Sequence, residues 1–284
     1  MIKKVAVVIL NFKVKEEIKK CIRSVQSSTY TNIEIIVVDN YSKDNLEKEI
    51  SSFNNVYFYQ NNKNIGYTGG NNIGIKLALN LGVDYILVLN PDTTIDKTCI
   101  ENLVGGMEKN HAGIVGPKIY FSGTRTIWYA GGVMDLANVI GCHRGVDEKD
   151  LGQYDRPEET DYVTGAAILV KPEVIKKVGL FDENFFLYYE DSDFCIRAKK
   201  AGFKIFYIPS AIVYHDNAKS SGLGSPLQDY FITRNRMLYG AKHLSFRTRF
   251  ALFREAVRNM GNPVRRLAFF DFLIGNFGKG SFKI

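Results

Sequence analysis

No cysteine in this 284-residue chain stands near another. Cys21, Cys99, Cys142 and Cys195 are far apart, with no CxxC pair. That pattern excludes a disulfide frame and a cysteine-based zinc site, and fits ordinary thiols of a reducing compartment. No stretch approaches ~18 consecutive apolar residues, so no helical membrane span is expected. Lys3 and Lys4 precede only the short apolar run Val5 to Leu10, too little for the apolar core of a secretory leader. Internal repeats and low-complexity tracts are lacking as well. At 45% hydrophobic and 24% charged residues, the composition excludes disorder and supplies a sizeable core. The length suits one large α/β domain, with or without an appendage. The 16 Tyr and 19 Phe are read first as core, because aromatics dominate core burial, although they also line sugar sites.

The charge is uneven. From Lys242 to Ile284 there are nine basic residues against Glu255 and Asp271, which accounts for the whole formal net charge of +7. The preceding residues are balanced, so basicity belongs to the C-terminal segment. Before it, short β-branched runs alternate with helical periods. Strands are expected at Val5–Leu10, Ile33–Val38, Val56–Tyr59, Tyr85–Leu89 and Ile114–Ile119. Helices are expected at Lys15–Gln26, Asp44–Phe53, Asn71–Leu81 and Thr98–Lys109. Such alternation predicts a mostly parallel sheet covered on both faces. Arg125–Thr164 reads as a hairpin or long loop. A strand at Tyr162–Lys171, a helix at Glu190–Ala201 and strands at Lys204–Ile208 and Ala211–Tyr214 follow. The text is helical from Leu227 onward. The expected division is residues 1–241 and a helical extension, 242–284.

Ligands of an open parallel sheet bind beyond the carboxyl ends of its strands. Those ends here are polar: Asn11 after the first strand, Asp39-Asn40 after the second, Asn90-Pro91-Asp92 after the fourth. Asp39 either accepts hydrogen bonds from a base or ribose, or caps a turn. The loop Gly66-Tyr67-Thr68-Gly69-Gly70 allows close backbone approach, and a helix from Asn71 can offer N–H groups to an anion. It is neither a GxGxxG nor a Walker loop. Asp92 is an oxygen ligand suited to Mg²⁺ or Mn²⁺, or the second residue of a Pro-Asp turn. Glu190-Asp191-Ser192-Asp193 places three acids at a helix start, beside Phe185, Phe186, Tyr188 and Tyr189. Such acids favour the helix dipole, yet crowding next to aromatics also raises carboxyl pKa values, as a general base requires. Asp193 and Arg197 have the spacing of a helical ion pair. His215 follows a strand and is either structural or a ligand. Arg234 and Arg236 either clamp phosphates or line a solvated helix face.

Taken together, these segments resemble the family 2 glycosyltransferases of the GT-A fold, in their rhamnosyltransferase-like branch. The segments that carry the resemblance are Val8–Asn11, Val37–Ser42, Asn64–Asn72, Leu89–Thr93, Gly165–Ala167, Gly179–Glu183, Phe185–Asp191, Asp193–Arg197, Val213–His215 and Thr233–Arg236. They occur in order from about residue 5 to 240. The resemblance implies an inverting sugar transfer from a nucleotide-diphosphate donor, dTDP-rhamnose or a UDP-sugar, to a hydroxyl of a glycan or lipid-linked glycan. It implies that Asp39 contacts the donor base, with Asn11, Asn40, Gly66, Gly69, Gly70, Asn71, Asn72 and Asn90 around the donor. Asp92 would bind Mn²⁺ or Mg²⁺ and His215 would complete that site. Asp191 would be the general base, with Glu190 beside it, and Arg234 or Arg236 would hold the diphosphate. The Asp-rich metal motif departs from its usual form, with Asn90 in place of the first acid.

Beyond Lys242 the resemblance fades. Phe246, Phe250, Phe253, Val257 and Met260 recur at roughly helical spacing with arginines between them. This segment either meets an anionic membrane surface from the cytoplasmic side, or packs on the catalytic domain or on a second subunit. No nucleic-acid recognition motif accompanies it. Two other classes compete. A sugar-nucleotide pyrophosphorylase would carry a basic Gly-rich loop after strand one, where Asn11-Phe12-Lys13-Val14 stands. A non-catalytic glycan-binding module would not need Asp39, Asp92, Asp191 and His215 together.

Overall fold

The computed structural model describes residues 2–216 and 224–283. Strands β1 (Val5–Asn11), β2 (Ile33–Asp39), β3 (Val56–Gln60) and β4 (Tyr85–Leu89) form a parallel set. Their continuous apolar text reflects burial on both faces. Val5, Val7 and Ile9 of β1 point toward α1 (Lys15–Gln26), while Ala6, Val8 and Leu10 point toward the opposite layer. Each fully buried Val or Ile of this kind contributes about 1.5–3 kcal/mol. Between β2 and β4 lie α2 (Leu46–Ile50) and α3 (Gly66–Asn80).

The second half adds β5 (Thr93–Ile95), α4 (Cys99–Lys109), β6 (Ile114–Phe121), β7 (Ile127–Tyr129) and a hairpin of β8 (Gly132–Asp135) with β9 (Ile140–His143). Then come β10 (Glu158–Glu159), β11 (Ala167–Val170), α5 (Pro172–Val178), α6 (Glu190–Lys200) and β12 (Ile205–His215). The sheet order is β10-β12-β6-β11-β4-β1-β2-β3. β11 runs antiparallel to both β4 and β6, whereas β12 is parallel to β6. Helices therefore cover both faces, and the carboxyl ends of β1, β2 and β4 share one rim.

The helix expected at Asp44–Phe53 shortens to α2, and β5 and α5 are additions; three further elements differ from the sequence expectation. Helix α3 begins at Gly66, so the expected glycine loop is its first turn. A Cβ on Gly70 would come within 2.3 Å of Leu10 Cδ1, and one on Gly74 within 2.3 Å of Val8 Cγ1. Those glycines let the helix lie directly on β1, which outweighs their poor helix propensity. The two strands expected at 204–208 and 211–214 are one strand, β12, with a register shift between Ile208 and Ile212. Pro209 in that gap has no N–H to give a ladder. The strand expected at 162–171 shortens to β11, and the irregular residues 162–166 before it include Gly165.

The C-terminal helices are α7 (Pro226–His243), α8 (Phe246–Arg258) and α9 (Pro263–Leu273). Residue 242, where the charge balance shifts, falls inside α7. Arg265 of α9 pairs with Asp229 of α7 at 2.9 Å, and Tyr230 donates to buried Asp271.

Candidate active site

The carboxyl rim starts with a corner formed by β1 and β2. The parallel register sets Asn11 opposite Asp39. Asn11 Nδ2 donates to Asp39 Oδ1 at 2.6 Å, and the Ser42 amide and Gln60 Nε2 donate to Asp39 Oδ2 at 2.9 and 2.5 Å. Asp39 is thus a buried, oriented carboxylate, and Asn11 is its positioner. Asn40 is turned away: its side chain bonds Asn61, Asn64, the Ile65 amide and the Gly66 carbonyl. Asn72 ties α3 to the Phe181 backbone in both directions, at 2.9 and 3.1 Å, and to Glu183. Gly66 has φ +81°, and a Cβ there would lie 2.5 Å from the Phe186 ring. Gly69 packs against Ile65. Asn40, Asn72 and the expected loop glycines therefore occupy scaffold positions.

Two strands over, the end of β4 brings Asn90 and Asp92 to the rim. Asp92 is buried, and its Oδ1 lies 3.2 Å from His215 Nε2 at the end of β12. Trp128 stacks edge-on to His215, with centroids 4.5 Å apart, and to His143 at 4.4 Å. Burial pushes the His143 pKa down to about 4, so its ring is neutral at pH 7. Trp128 and His143 were not expected from the sequence. The one signal for them was that the chain has a single Trp. Among the described residues, no three His, Cys, Asp or Glu side chains gather as a metal cluster. A hard cation here would have Asp92 and His215 as protein ligands, its other positions falling to phosphate oxygens and water.

Several buried polar atoms are left without a hydrogen-bond partner: Thr68 Oγ1, Asn71 Oδ1, Asn90 Oδ1, Glu190 Oε2 and His215 Nδ1. Buried polar groups are almost always satisfied, so each such atom calls for an explanation. All five lie on this rim or on the helix starts beside it.

The third group is at the start of α6. Gly165 N donates to Asp191 Oδ2 at 3.0 Å, and the Ser192 amide donates to Oδ1 at 2.6 Å. The Gly165 carbonyl accepts from the Tyr67 hydroxyl at 2.6 Å. Burial raises the Tyr67 pKa, and the charges of Glu190, Asp191 and Asp92 raise it further. One phenol thus feels the acids of both the β4 end and the α6 start. Burial raises the Asp191 carboxyl above its ordinary value despite its three donors. Glu190 is raised further, by burial and then by Asp191. Asp193 is different. Burial pushes it up, but the His243 hydrogen bond and the charges of Arg197 and Lys242 outweigh that, so its pKa falls. Its bonds to Arg197 Nε and His243 Nε2 are both 2.7 Å. The expected helical pair of Asp193 and Arg197 is present.

The two arginines expected at a diphosphate are engaged elsewhere. Arg234 is 0% exposed. Its guanidinium donates to the carbonyls of Asn184 and Phe185, and lies over the rings of Tyr230 and Phe231. Arg236 donates to Asn138 and holds both Glu255 oxygens, at 2.6 and 2.9 Å. Asn235 Nδ2 bonds the carbonyls of Phe185, Leu187 and Tyr188, each at 2.8 Å. Phe186, Tyr188 and Tyr189 have φ of 63°, 69° and 72°, left-handed conformations that cost non-glycine residues about 1–3 kcal/mol each. Arg234 and Asn235 therefore clamp the strained segment that delivers Glu190 and Asp191.

The glycosyl transferase family 2 model matches residues 6–179. The hexosyltransferase Agl10 of low-salt glycan biosynthesis from Haloferax volcanii is 28% identical over 241 residues, 84% of this chain and 76% of that protein. The N-acetylglucosaminyl-diphospho-decaprenol L-rhamnosyltransferase of Mycobacterium tuberculosis is 26% identical over 240 residues, 76% of this chain and 77% of that protein. Among solved structures, GalNAc-T7 with UDP, GalNAc and Mn²⁺ matches with a TM-score of 0.63 and 17% identity. That match covers 83% of this chain and 52% of the other, so this chain spans about half of it. At such identity the likeness is one of fold, the GT-A arrangement of sheet and helices.

Proposed function

The chain belongs to glycosyl transferase family 2, and on that premise we propose that it transfers a sugar from a nucleotide-diphosphate donor to a glycan hydroxyl, with inversion at the anomeric carbon. The observation that carries this reading is the rim itself. Asp39 stands two strand spacings, roughly 10 Å, from the β4 end that presents Asp92, a separation suited to a nucleoside. In this reading Asp39 accepts from the base or ribose, and Asn11 holds it in place. Asn71 Oδ1 and Asn90 Oδ1 accept from hydroxyls of the sugar nucleotide or from bound water, and the Thr68 hydroxyl donates or accepts there. Asp92 and His215 would hold a divalent cation, Mn²⁺ or Mg²⁺. When bound, such a cation supplies Lewis-acid neutralisation of the departing diphosphate. Asp191 takes the proton of the acceptor hydroxyl as its oxygen bonds to the anomeric carbon and the bond to the diphosphate breaks. Glu190, whose carboxyl burial and then Asp191 push up, stands beside it with Oε2 unpartnered. Arg234 and Asn235 act indirectly by fixing the 185–189 segment.

The hexosyltransferase and rhamnosyltransferase relatives support a rhamnosyl or other hexosyl group as the cargo; dTDP-rhamnose or a UDP-sugar is the donor we propose. We take as acceptor a lipid-linked diphosphate glycan, the class named for the mycobacterial relative, met at the cytoplasmic face of a membrane. The domain reading that goes with this is a catalytic body that ends within α7, followed by the basic extension. Incubation with dTDP-rhamnose and a set of UDP-sugars tests the proposal through release of nucleoside diphosphate. Turnover with one donor, lost in Asp92→Asn, is the expected result. A wild-type chain that leaves every sugar nucleotide intact, with and without Mn²⁺, would contradict it. Pyrophosphate-dependent release of sugar-1-phosphate would instead support the pyrophosphorylase alternative.

A further inference from the structure

Helix α8 reaches the body of the protein through Leu252, its buried residue. Phe246, Phe250, Phe253 and Val257 follow at intervals of four, three and four residues, so they form one row along the helix. All four are exposed, from 42% for Phe253 to 81% for Phe246. Arg247, Arg254 and Arg258 form a second exposed row beside the first. Helix α9 and the residue after it extend this surface with exposed Leu267, Phe270, Leu273 and Ile274, next to exposed Arg266. The Phe253 and Phe269 rings meet edge to face at 5.4 Å, which brings the two helices together.

We propose that this α8–α9 face binds an anionic bilayer surface, with the phenyl row entering the interfacial layer and the arginine row meeting lipid phosphates. An exposed apolar row flanked by arginines is what interfacial helices require. The charge selects the occupant. Residues 242–284 hold nine basic residues and two acids. Glu255 is engaged by Arg236 at both oxygens, and Asp271 is buried. A second copy would bring another face of the same net positive charge against this one, whereas lipid phosphates neutralise it. Beneath Phe246 and Phe250 lies a cavity of about 380 Å³, walled by Met237, Ala241, Leu252 and Phe272, with Arg249 also on its lining. Apolar walls of this kind suit an acyl chain end. The inference deepens the membrane part of the proposed function, and its test needs no sugar transfer.

The full-length chain is sedimented with vesicles of phosphatidylcholine alone, and of phosphatidylcholine with one quarter phosphatidylglycerol. Binding to the anionic vesicles only, weakened by high salt, is expected. Each arginine at the surface contributes about fivefold. The triple variant R247Q/R254Q/R258Q should therefore lose on the order of 100-fold, and R254Q alone about fivefold. Phe246→Ser combined with Phe250→Ser should also release the protein. Each variant should keep the wild-type melting temperature and donor turnover. The proposal is overturned if the wild type stays in the supernatant at low salt, or if R254Q and the phenylalanine variant bind as wild type does. It is equally overturned by a dimer that the phenylalanine variant dissociates while vesicles remain unbound. Donor turnover that persists without vesicle binding would remove the lipid surface and leave the glycosyltransferase reading standing.

Discussion

Replacing Asp191 by asparagine separates chemistry from folding. Asp191 takes the Gly165 amide on one oxygen, and the Ser192 amide and hydroxyl on the other. Asparagine keeps one acceptor oxygen, so its NH₂ must face one of those amides donor to donor, at a cost of about 1–3 kcal/mol. Against this, burial holds the Asp191 and Glu190 carboxyls above their ordinary pKa values. Ionising both inside the fold is unfavourable, and a neutral side chain relieves that. The two effects oppose each other, so stability at pH 7 should change by only about 1 kcal/mol. Loss of a general base removes about 10²–10⁴ in rate, or roughly 3–5 kcal/mol of barrier. The fall in kcat should thus far exceed any change in melting, while the nucleotide still binds. The sign of the pH effect follows from the raised pKa. The base works ionised, so wild-type activity should fall as pH drops through a value above the ordinary ~3.9 of Asp, and the variant should lack that limb. The same raised carboxyls favour the fold below their unfolded pKa values and lose that contribution as pH rises through the folded ones. Glu190→Gln should therefore stabilise the chain at neutral pH. Nucleoside diphosphate release gives the rate, and thermal shift gives nucleotide binding. A variant with kcat within tenfold of wild type and an intact acid limb would refute the assignment and move the base to Glu190.

Gly70→Ala should cost about 1–3 kcal/mol, because its Cβ would meet Leu10 at 2.3 Å in a close-packed layer. An unchanged melting temperature would show that α3 does not rest on β1 as described. Arg234→Met should cost about 3 kcal/mol through the carbonyls it leaves unpaired, and should lower kcat with little change in donor KM. A rise in donor KM at constant kcat would instead return Arg234 to the diphosphate. Asp193→Asn should cost about 3 kcal/mol at pH 7, because it breaks the buried Arg197 ion pair and disturbs the His243 hydrogen bond. Its lowered folded pKa means that the wild-type contribution exists above the unfolded pKa and disappears as pH falls through the folded one, so acid denaturation should narrow the gap between the two proteins.

The sheet was legible because Val5–Leu10, Ile33–Val38 and Tyr85–Leu89 are short, β-branched and unbroken, a pattern that doubly covered strands require. The rim residues were legible because polar text interrupts such runs at one place each: Asn11, Asp39, Asn90-Pro91-Asp92. The start of α3 was hidden. Glycine reads as loop by propensity, and only contact with Leu10 and Val8 explains why glycine stands inside the helix. The roles of Arg234 and Arg236 were hidden for a related reason. A charged side chain is read as reaching for a ligand, but Arg234 is covered by residues as distant in sequence as Asn184 and Asn276. Trp128 and His143 come close to His215, and Tyr67 to the acids, through long-range packing that local spacing does not encode. Asp193 could not be told from Asp191 by spacing alone. His243, fifty residues away, makes the difference.

In the proposed function, Asp92 and His215 would hold the cation that joins the nucleotide diphosphate to this rim. Thermal stability with UDP or dTDP, measured with Mn²⁺ and with chelator in wild type, Asp92→Asn and His215→Ala, tests it most directly. One nucleotide should stabilise the wild type by about 2.7 kcal/mol at 100 times its Kd, only with Mn²⁺, and both variants should lose most of that gain. Equal stabilisation with chelator, or in the two variants, would contradict it.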